Sequence, residues 1–288
     1  MGMTSATSQV DLHLHTNESD GRLTPAELVD VAGRRGMRVI AVTDHDSTEG
    51  LEEAFRTAKK YPNLIVIPGI ELSTDIPGSE VHILGYFLKY QDEAFQQKLL
   101  EFREAREDRG QRMVEKLREL GMPVEWERVL HYAQGGEGAV GRPHVAQAML
   151  EAGVVSSVQE AFDLWIGRNG PAYADRPKLT PAEAVGLVRQ VGGLAVLAHP
   201  KDVLDNLDPI LDDLCAAGLT GMEVHYQGYE GQLHDYLLGV AEKRGLIPCG
   251  GSDYHGIESR PEAGIGNVYV PMDTAERLFA RAGKQLVG

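Results

Sequence analysis

Apolar and polar residues alternate through Val10-Asp11-Leu12-His13-Leu14-His15, the period of a β-strand. The alternation sets Val10, Leu12 and Leu14 on one face and Asp11, His13 and His15 on the other. Further along, residues 39–43, 64–71 and 81–87 form short apolar runs of strand length. Between the first runs the pattern turns helical. Thr24-Pro25-Ala26-Glu27 is a helix start, with Thr as N-cap, Pro in the first turn and Glu three residues later. A second helix is expected over residues 50–60. Apolar strands alternating with helices predict a parallel sheet covered by helices.

The rhythm stops at about residue 91. From there to residue 175 the pattern is helical throughout, with no convincing strand. Residues 95–120 are highly charged, with apolar positions at Leu99, Phe102, Met113, Leu117 and Leu120. Gly135-Gly136-Glu137-Gly138 marks a break, and Arg142-Pro143-His144 opens another helix. We expect residues 91–175 to form a helical insertion domain, and residues 1–90 and 176–288 to form one barrel domain. The alternation resumes at Thr180-Pro181-Ala182-Glu183, which repeats the earlier helix start. Strands are expected over 193–200, 221–224 and 247–255, a short extended segment over 267–270, and a last helix over 274–282. Seven strands alternating with helices predict an α/β fold, a (β/α) barrel one unit short of the eightfold type.

Composition narrows the function. The formal net charge is −15, from 28 Lys+Arg against 43 Asp+Glu. Phosphate contacts come mainly from Lys and Arg, so a long nucleic-acid track is not expected. The two cysteines, Cys215 and Cys249, suggest neither a disulfide framework nor a thiolate metal site. Residues 1–9 are polar and lack an apolar signal core, and no apolar run approaches membrane-spanning length. The expected compartment is the cytoplasm.

Candidate metal ligands fall at the predicted strand ends: His13, His15, Asp20, His45, Glu71, His82, His199, Asp253 and His255. In a parallel β/α barrel these ends converge on one face. Paired imidazoles and carboxylates without thiolate suit Mn, Fe or Zn. No Gly-rich phosphate loop of the Walker type is present.

Six motifs occur in an order that resembles the PHP (polymerase and histidinol phosphatase) family. They are Asp11-x-His13-x-His15, Thr43-Asp44-His45-Asp46, Gly69-x-Glu71, Val81-His82-Ile83, Ala198-His199-Pro200 and Gly251-Ser252-Asp253-x-His255. The resemblance implies a distorted (β/α)7 barrel with two or three divalent metal ions, Mn favoured. It places His13, His15, Glu71 and Asp253 on a first metal. It has Glu71 bridge to a second held by His82 and His199, and gives Asp20, His45 and His255 to a third. A hydroxide between two metals, positioned by Glu71, Asp253 and His199, would then attack phosphorus. Asp46 and His225 are candidates to protonate the leaving group, as is a metal-bound water.

Gly141-Arg142-Pro143-His144, with Ala161-Phe162 and Tyr173 downstream, is similar to one branch of that family. The branch holds 3′,5′-nucleotide bisphosphate phosphatases and the 5′→3′ exoribonuclease RNase AM. The likeness implies that Arg142 and Arg176, assisted by His144, bind the non-scissile phosphate of a small nucleotide or short RNA. Arg142 and His144 also stand at a helix N-terminus, which favours anions. Lys178 is expected to be a solvated surface charge. Two other readings are a small-metabolite phosphatase, such as one acting on histidinol phosphate, and a non-catalytic metal-binding accessory module.

Overall fold

The computed structural model describes residues 8–133, 139–256 and 264–286. The glycine break at 135–138 and the first seven residues lie outside these. Among the described residues no helix is long and apolar enough to cross a membrane.

The chain runs β1 (Val10–Asp11), α1 (Pro25–Arg34), β2 (Val39–Val42), α2 (Leu51–Ala58), β3 (Ile65–Ile76) and β4 (Ser79–Tyr86). After the insertion it continues as α7 (Pro181–Gln190), β5 (Leu194–Leu197), α8 (Leu207–Ala217), β6 (Gly221–Tyr226), α9 (Gln232–Lys243), β7 (Ile247–Gly251) and α10 (Met272–Arg281). The insertion holds α3 (Glu93–Glu119), α4 (Trp126–Tyr132), α5 (Arg142–Glu151) and α6 (Val158–Ala161). Both predicted helix starts form capping boxes: the Thr24 hydroxyl accepts from Glu27 N–H while Glu27 accepts from Thr24 N–H, and Thr180 and Glu183 do the same. Residues 267–270, expected to be extended, form no strand.

The seven strands lie in the order β1 to β7. Beyond β1 the extended chain closes the ring. Leu12 N–H donates to Gly250 O at 3.2 Å, His15 N–H to Tyr254 O at 3.0 Å, and Leu14 bridges Tyr254. Gly251 makes this closure possible, because a Cβ there would lie 2.5 Å from His13 N. Asp11 clasps the same seam by accepting from the N–H groups of Ser252 and Gly266, each at 2.9 Å. Burial raises its carboxyl to about 6 against those bonds.

The all-parallel expectation is corrected at β4, which pairs antiparallel with both β3 and β5. The reason is local. Only Pro77 and Gly78 separate β3 from β4, and Gly78 has φ +87°. A two-residue turn joins antiparallel neighbours, whereas a parallel pair needs a crossover of a dozen residues or more.

One apolar cluster fills the barrel, with Leu12, Ala41, Ile67, Leu84 and Val196 around Tyr86, whose hydroxyl donates to Leu12 O. The long helix α3 joins two others. Phe95, Leu99 and Phe102 pack into the cluster under α7 to α9. Met113, Val114 and Leu117 pack with Val145 and Met149 in a cluster of the insertion's own.

Candidate metal centre

Glu71, 1% exposed, stands at the middle of the site. Its Oε2 lies 3.2 Å from His13 Nε2, His15 Nε2 and His45 Nδ1. Its Oε1 lies 2.8 Å from His82 Nδ1 and 3.0 Å from His199 Nε2. Asp253 Oδ1 is 3.3 Å from His13 Nε2 and 3.2 Å from His15 Nε2. Asp20 Oδ1 is 3.2 Å from His255 Nε2, and its Oδ2 is 3.8 Å from His45 Nε2. All nine sequence-predicted ligands are thus brought together. They form three overlapping groups that could each hold an ion: His13, His15, Glu71 and Asp253; His45, Glu71 and His82; and His15, Asp20, His45 and His255. His199 meets the second group through Glu71. His15 and His45 each join two groups, a sharing the family pattern does not include.

The residues fit a cation. Both ring nitrogens of His15, Nδ1 of His45 and Oδ1 of Asp20 are buried without a hydrogen-bond partner. Native proteins rarely leave such atoms unsatisfied. Burial lowers the His45 ring to about 3, so it stays neutral and free to ligate. Burial would also lower His15, but Asp253 and Glu71 outweigh it and hold that ring at about 10. A carboxylate pair that binds a proton this tightly offers a divalent ion the same attraction.

A second layer fixes these ligands, and sequence reasoning missed its main member. Glu223, fully buried on β6, faces His13 Nδ1 at 3.1 Å and accepts from His199 N–H at 2.8 Å. Such a carboxylate sets the tautomer and aim of a ligating ring. Its signal was a charged residue inside the apolar run of a strand. Tyr226 donates to Asp253 Oδ2 at 2.6 Å. Asp44 accepts from Thr16 N–H and from the hydroxyls of Thr16 and Ser19, holding the loop that carries Asp20. His199 (φ 21°) and Asp253 (φ 52°) sit in backbone conformations that cost energy for residues other than Gly, a strain concentrated at the site.

Beside the cluster opens a cavity of about 130 Å³ walled by Arg106, Arg109, Arg142, Arg176 and Lys178, and reaching Asp20, His45 and His82. Two carboxylates partly compensate it. Asp46 accepts from Arg106 Nε at 2.7 Å and Arg176 Nη2 at 2.9 Å. Glu80 pairs with Arg142 and Lys178. Arg109, 4% exposed, has no hydrogen bond or ion pair among the described residues. Burial, then Arg106, Arg176 and Arg142, push its proton affinity well below the ordinary range. Arg106 and Arg109 were also missed. They occupy two steps of the α3 stripe between Phe102 and Met113, spaced four, three and four residues apart, where apolar side chains belong.

Four expectations change. Lys178 is no surface charge: its side chain is 3% exposed and lines the cavity. It is anchored by Glu80 across the β3–β4 hairpin. His144 lies outside the cavity wall. Its Nδ1 accepts from Gly141 N–H at 3.0 Å, its ring also bonds the Ser19 backbone, and burial lowers it to about 4. It therefore ties α5 to the Asp20 loop and carries no charge for a phosphate. Asp46 is held as a carboxylate by Arg106 and Arg176, well below the carboxylate range despite its burial, so it has no proton to give. His225 turns to His234, at 3.2 Å. A register shift between Glu223 and His225 breaks the alternation that would have aimed it with Glu223. Arg142 and Arg176 do line the cavity.

Comparison with known proteins gives the same picture. The PHP domain model matches residues 11–105. The chain is 31% identical to a 3′,5′-nucleoside bisphosphate phosphatase of Chromobacterium violaceum, over 86% of this chain and 87% of that one. It is 31% identical to the 5′-3′ exoribonuclease Rnm of Salmonella typhimurium, over 85% and 84%. A solved structure from Bifidobacterium adolescentis, assigned as a metal-dependent phosphoesterase, superposes with a TM-score of 0.87 at 32% identity, covering 96% of this chain and 97% of that one. The chain belongs to the PHP family.

Proposed function

We propose that the chain is a metal-dependent phosphoesterase acting on nucleotides that carry two phosphates. It converts a nucleoside 3′,5′-bisphosphate to the 5′-monophosphate and phosphate, and extends to the 5′ end of short RNA. The reading draws on the phosphatase and exoribonuclease relatives. The observation that carries it in this chain is the buried Arg109, whose Nε has no hydrogen-bond partner among the described residues, in a five-cation cavity that opens onto the cluster. A single phosphate at the metal ligands would leave that Nε–H without an acceptor, and a second phosphate supplies one.

In this reading His13, His15, Glu71 and Asp253 would hold one ion, Glu71, His82 and His199 another, and Asp20, His45 and His255 a third. Mn is favoured, with Zn and Fe also suited to the donor set. Divalent ions so bound polarise phosphoryl oxygens and acidify water. The chain's own residues do the rest. Glu71 divides its two oxygens between ligand groups and fixes their spacing. Glu223 and Tyr226 aim His13 and Asp253. Asp46 pre-positions Arg106 and Arg176, so the second phosphate meets donors already in place.

The test is phosphate release by Mn-loaded protein from adenosine 3′,5′-bisphosphate and from histidinol phosphate, with an EDTA control. EDTA-sensitive hydrolysis that favours the bisphosphate is expected. Preference for histidinol phosphate would overturn the nucleotide assignment, and no turnover of either would leave a metal-binding accessory module.

A further inference from the structure

The cation cavity is the first of three neighbouring cavities. It shares Glu80 and His82 with a small cavity of about 120 Å³, which also touches His199 and Asp202. That cavity in turn shares His199 and Asp202 with a third, of about 370 Å³, walled by Tyr226 and Tyr229. Taken in order, these neighbouring cavities lead from guanidinium groups, past the His82–His199 edge of the metal ligands, to aromatic rings.

The far end has its own chemistry. Tyr226 and Tyr229 lie 5.0 Å apart at 51°, and the Tyr226 ring is 5.7 Å from that of His199. Both hydroxyls are tied down: Tyr226 donates to Asp253, and Tyr229 accepts from Lys201 N–H at 2.9 Å. The rings are thus fixed, and Tyr226 remains only partly buried. Gln227, Lys201 and Asp202 bring polar groups to the same wall. A volume of this size suits a nucleoside.

A 3′,5′-bisphosphate does not need that space, because its scissile phosphate is terminal. In RNA the same phosphate carries the next nucleoside on one oxygen, and that nucleoside must lie away from the 5′-phosphate. We infer that the Tyr226–Tyr229 cavity receives the nucleoside on the 3′ side of the cleaved phosphate, its base against the Tyr226 ring. Fixed aromatic faces accept any base by stacking. The inference rests on the phosphoesterase reading above and assigns the downstream half of its substrate.

The experiment compares adenosine 3′,5′-bisphosphate with the 5′-phosphorylated dinucleotide of adenosine, using Mn-loaded wild type, Tyr226→Phe and Tyr226→Leu. Both variants lose the bond to Asp253, and only Tyr226→Leu loses the ring. The readout is the ratio of dinucleotide to bisphosphate kcat/KM. Tyr226→Leu should lower that ratio about tenfold or more relative to Tyr226→Phe. An equal ratio in the two variants would overturn the inference. So would a ratio that falls instead on His131→Ala, which alters the separate cavity beyond Asp20 lined by His131 and Tyr132. Turnover of the dinucleotide without the bisphosphate would sink only the bisphosphatase reading. Calorimetric titration with a non-hydrolysable dinucleotide gives an answer independent of turnover: Tyr226→Leu should weaken binding relative to Tyr226→Phe, and equal binding, or none by wild type, would overturn it.

Discussion

The barrel's strand ends and the insertion's first helix face each other across one centre, and they solve opposite electrostatic problems. On the barrel side six imidazoles surround Glu71, Asp253 and Asp20, an arrangement poised for cations. On the facing side Arg106, Arg109, Arg142, Arg176 and Lys178 outnumber Asp46 and Glu80. The barrel side holds its imidazoles and carboxylates about 3 Å apart, leaves atoms of His15, His45 and Asp20 without a hydrogen bond, and is backed by Glu223. The cation wall is left incomplete at Arg109. A formal charge of −15 for the whole chain hides this wall entirely. Net charge governs distant encounter, while recognition of a small anion depends on a few directed cations in a place shielded from water.

The largest expected effect lies on the barrel side. Glu71→Gln keeps the shape but removes the charge that five imidazoles face. Metal content, measured by elemental analysis, should fall sharply, and hydrolysis of both bisphosphate and monophosphate should drop about 10³-fold or more. Retained metal with retained activity would mean that Glu71 is a core carboxylate and not a ligand.

A smaller and more selective effect is expected on the cation side. Arg109→Met should lower kcat/KM for the bisphosphate roughly 10- to 100-fold, while monophosphate hydrolysis falls much less. Because a buried charge with no ion pair among the described residues is removed, the variant should also be more stable, by about 1 kcal/mol or more in denaturant unfolding. Arg142→Met should show a weaker selective loss and no gain in stability, since Glu80 already compensates Arg142. Equal losses on both substrates for Arg109→Met would show that the two sides do not divide the work in this way.

The same contrast explains what could be read from the residues alone. His13, Glu71, His199 and Asp253 lie toward the C-terminal ends of short apolar runs, which β-geometry sends to one face, so they were recoverable from order and spacing; His82 opens its run and reaches that face only because β4 runs antiparallel. Arg106 and Arg109 lie on a helix whose pattern shows charge but not direction. Only the packing of Phe102 on one side and Met113 on the other turns them inward. Glu223 and Lys178 were passed over for a related reason: whether a lone charge is solvated or buried depends on partners distant in sequence, His13 for one and Glu80 for the other. The antiparallel β4 was legible in principle, because Pro77-Gly78 leaves no room for a crossover.

The two sides are joined at His144, and the smallest predicted effect tests that joint. The ring links α5 to the Ser19 backbone, one residue before Asp20, and burial lowers it from 6.5 to about 4. A base whose folded value is depressed contributes stability that is full above its unfolded value and is lost as pH falls through the folded one. The window is therefore pH 6.5 down to 4. Between pH 7 and pH 5 the group should account for about 2 kcal/mol of lost stability. In His144→Asn this part of the decline should vanish, while the metal ligands titrate in both proteins and drop out of the difference. The variant should also bind metal less tightly at the Asp20 group, since the loop loses one of its ties to the insertion and keeps the one from Ala139 N–H to Glu18 O. An unchanged pH dependence would place His144 outside the link and leave the Asp20 loop held by Asp44, through Thr16 and Ser19, and by Ala139 N–H on Glu18 O.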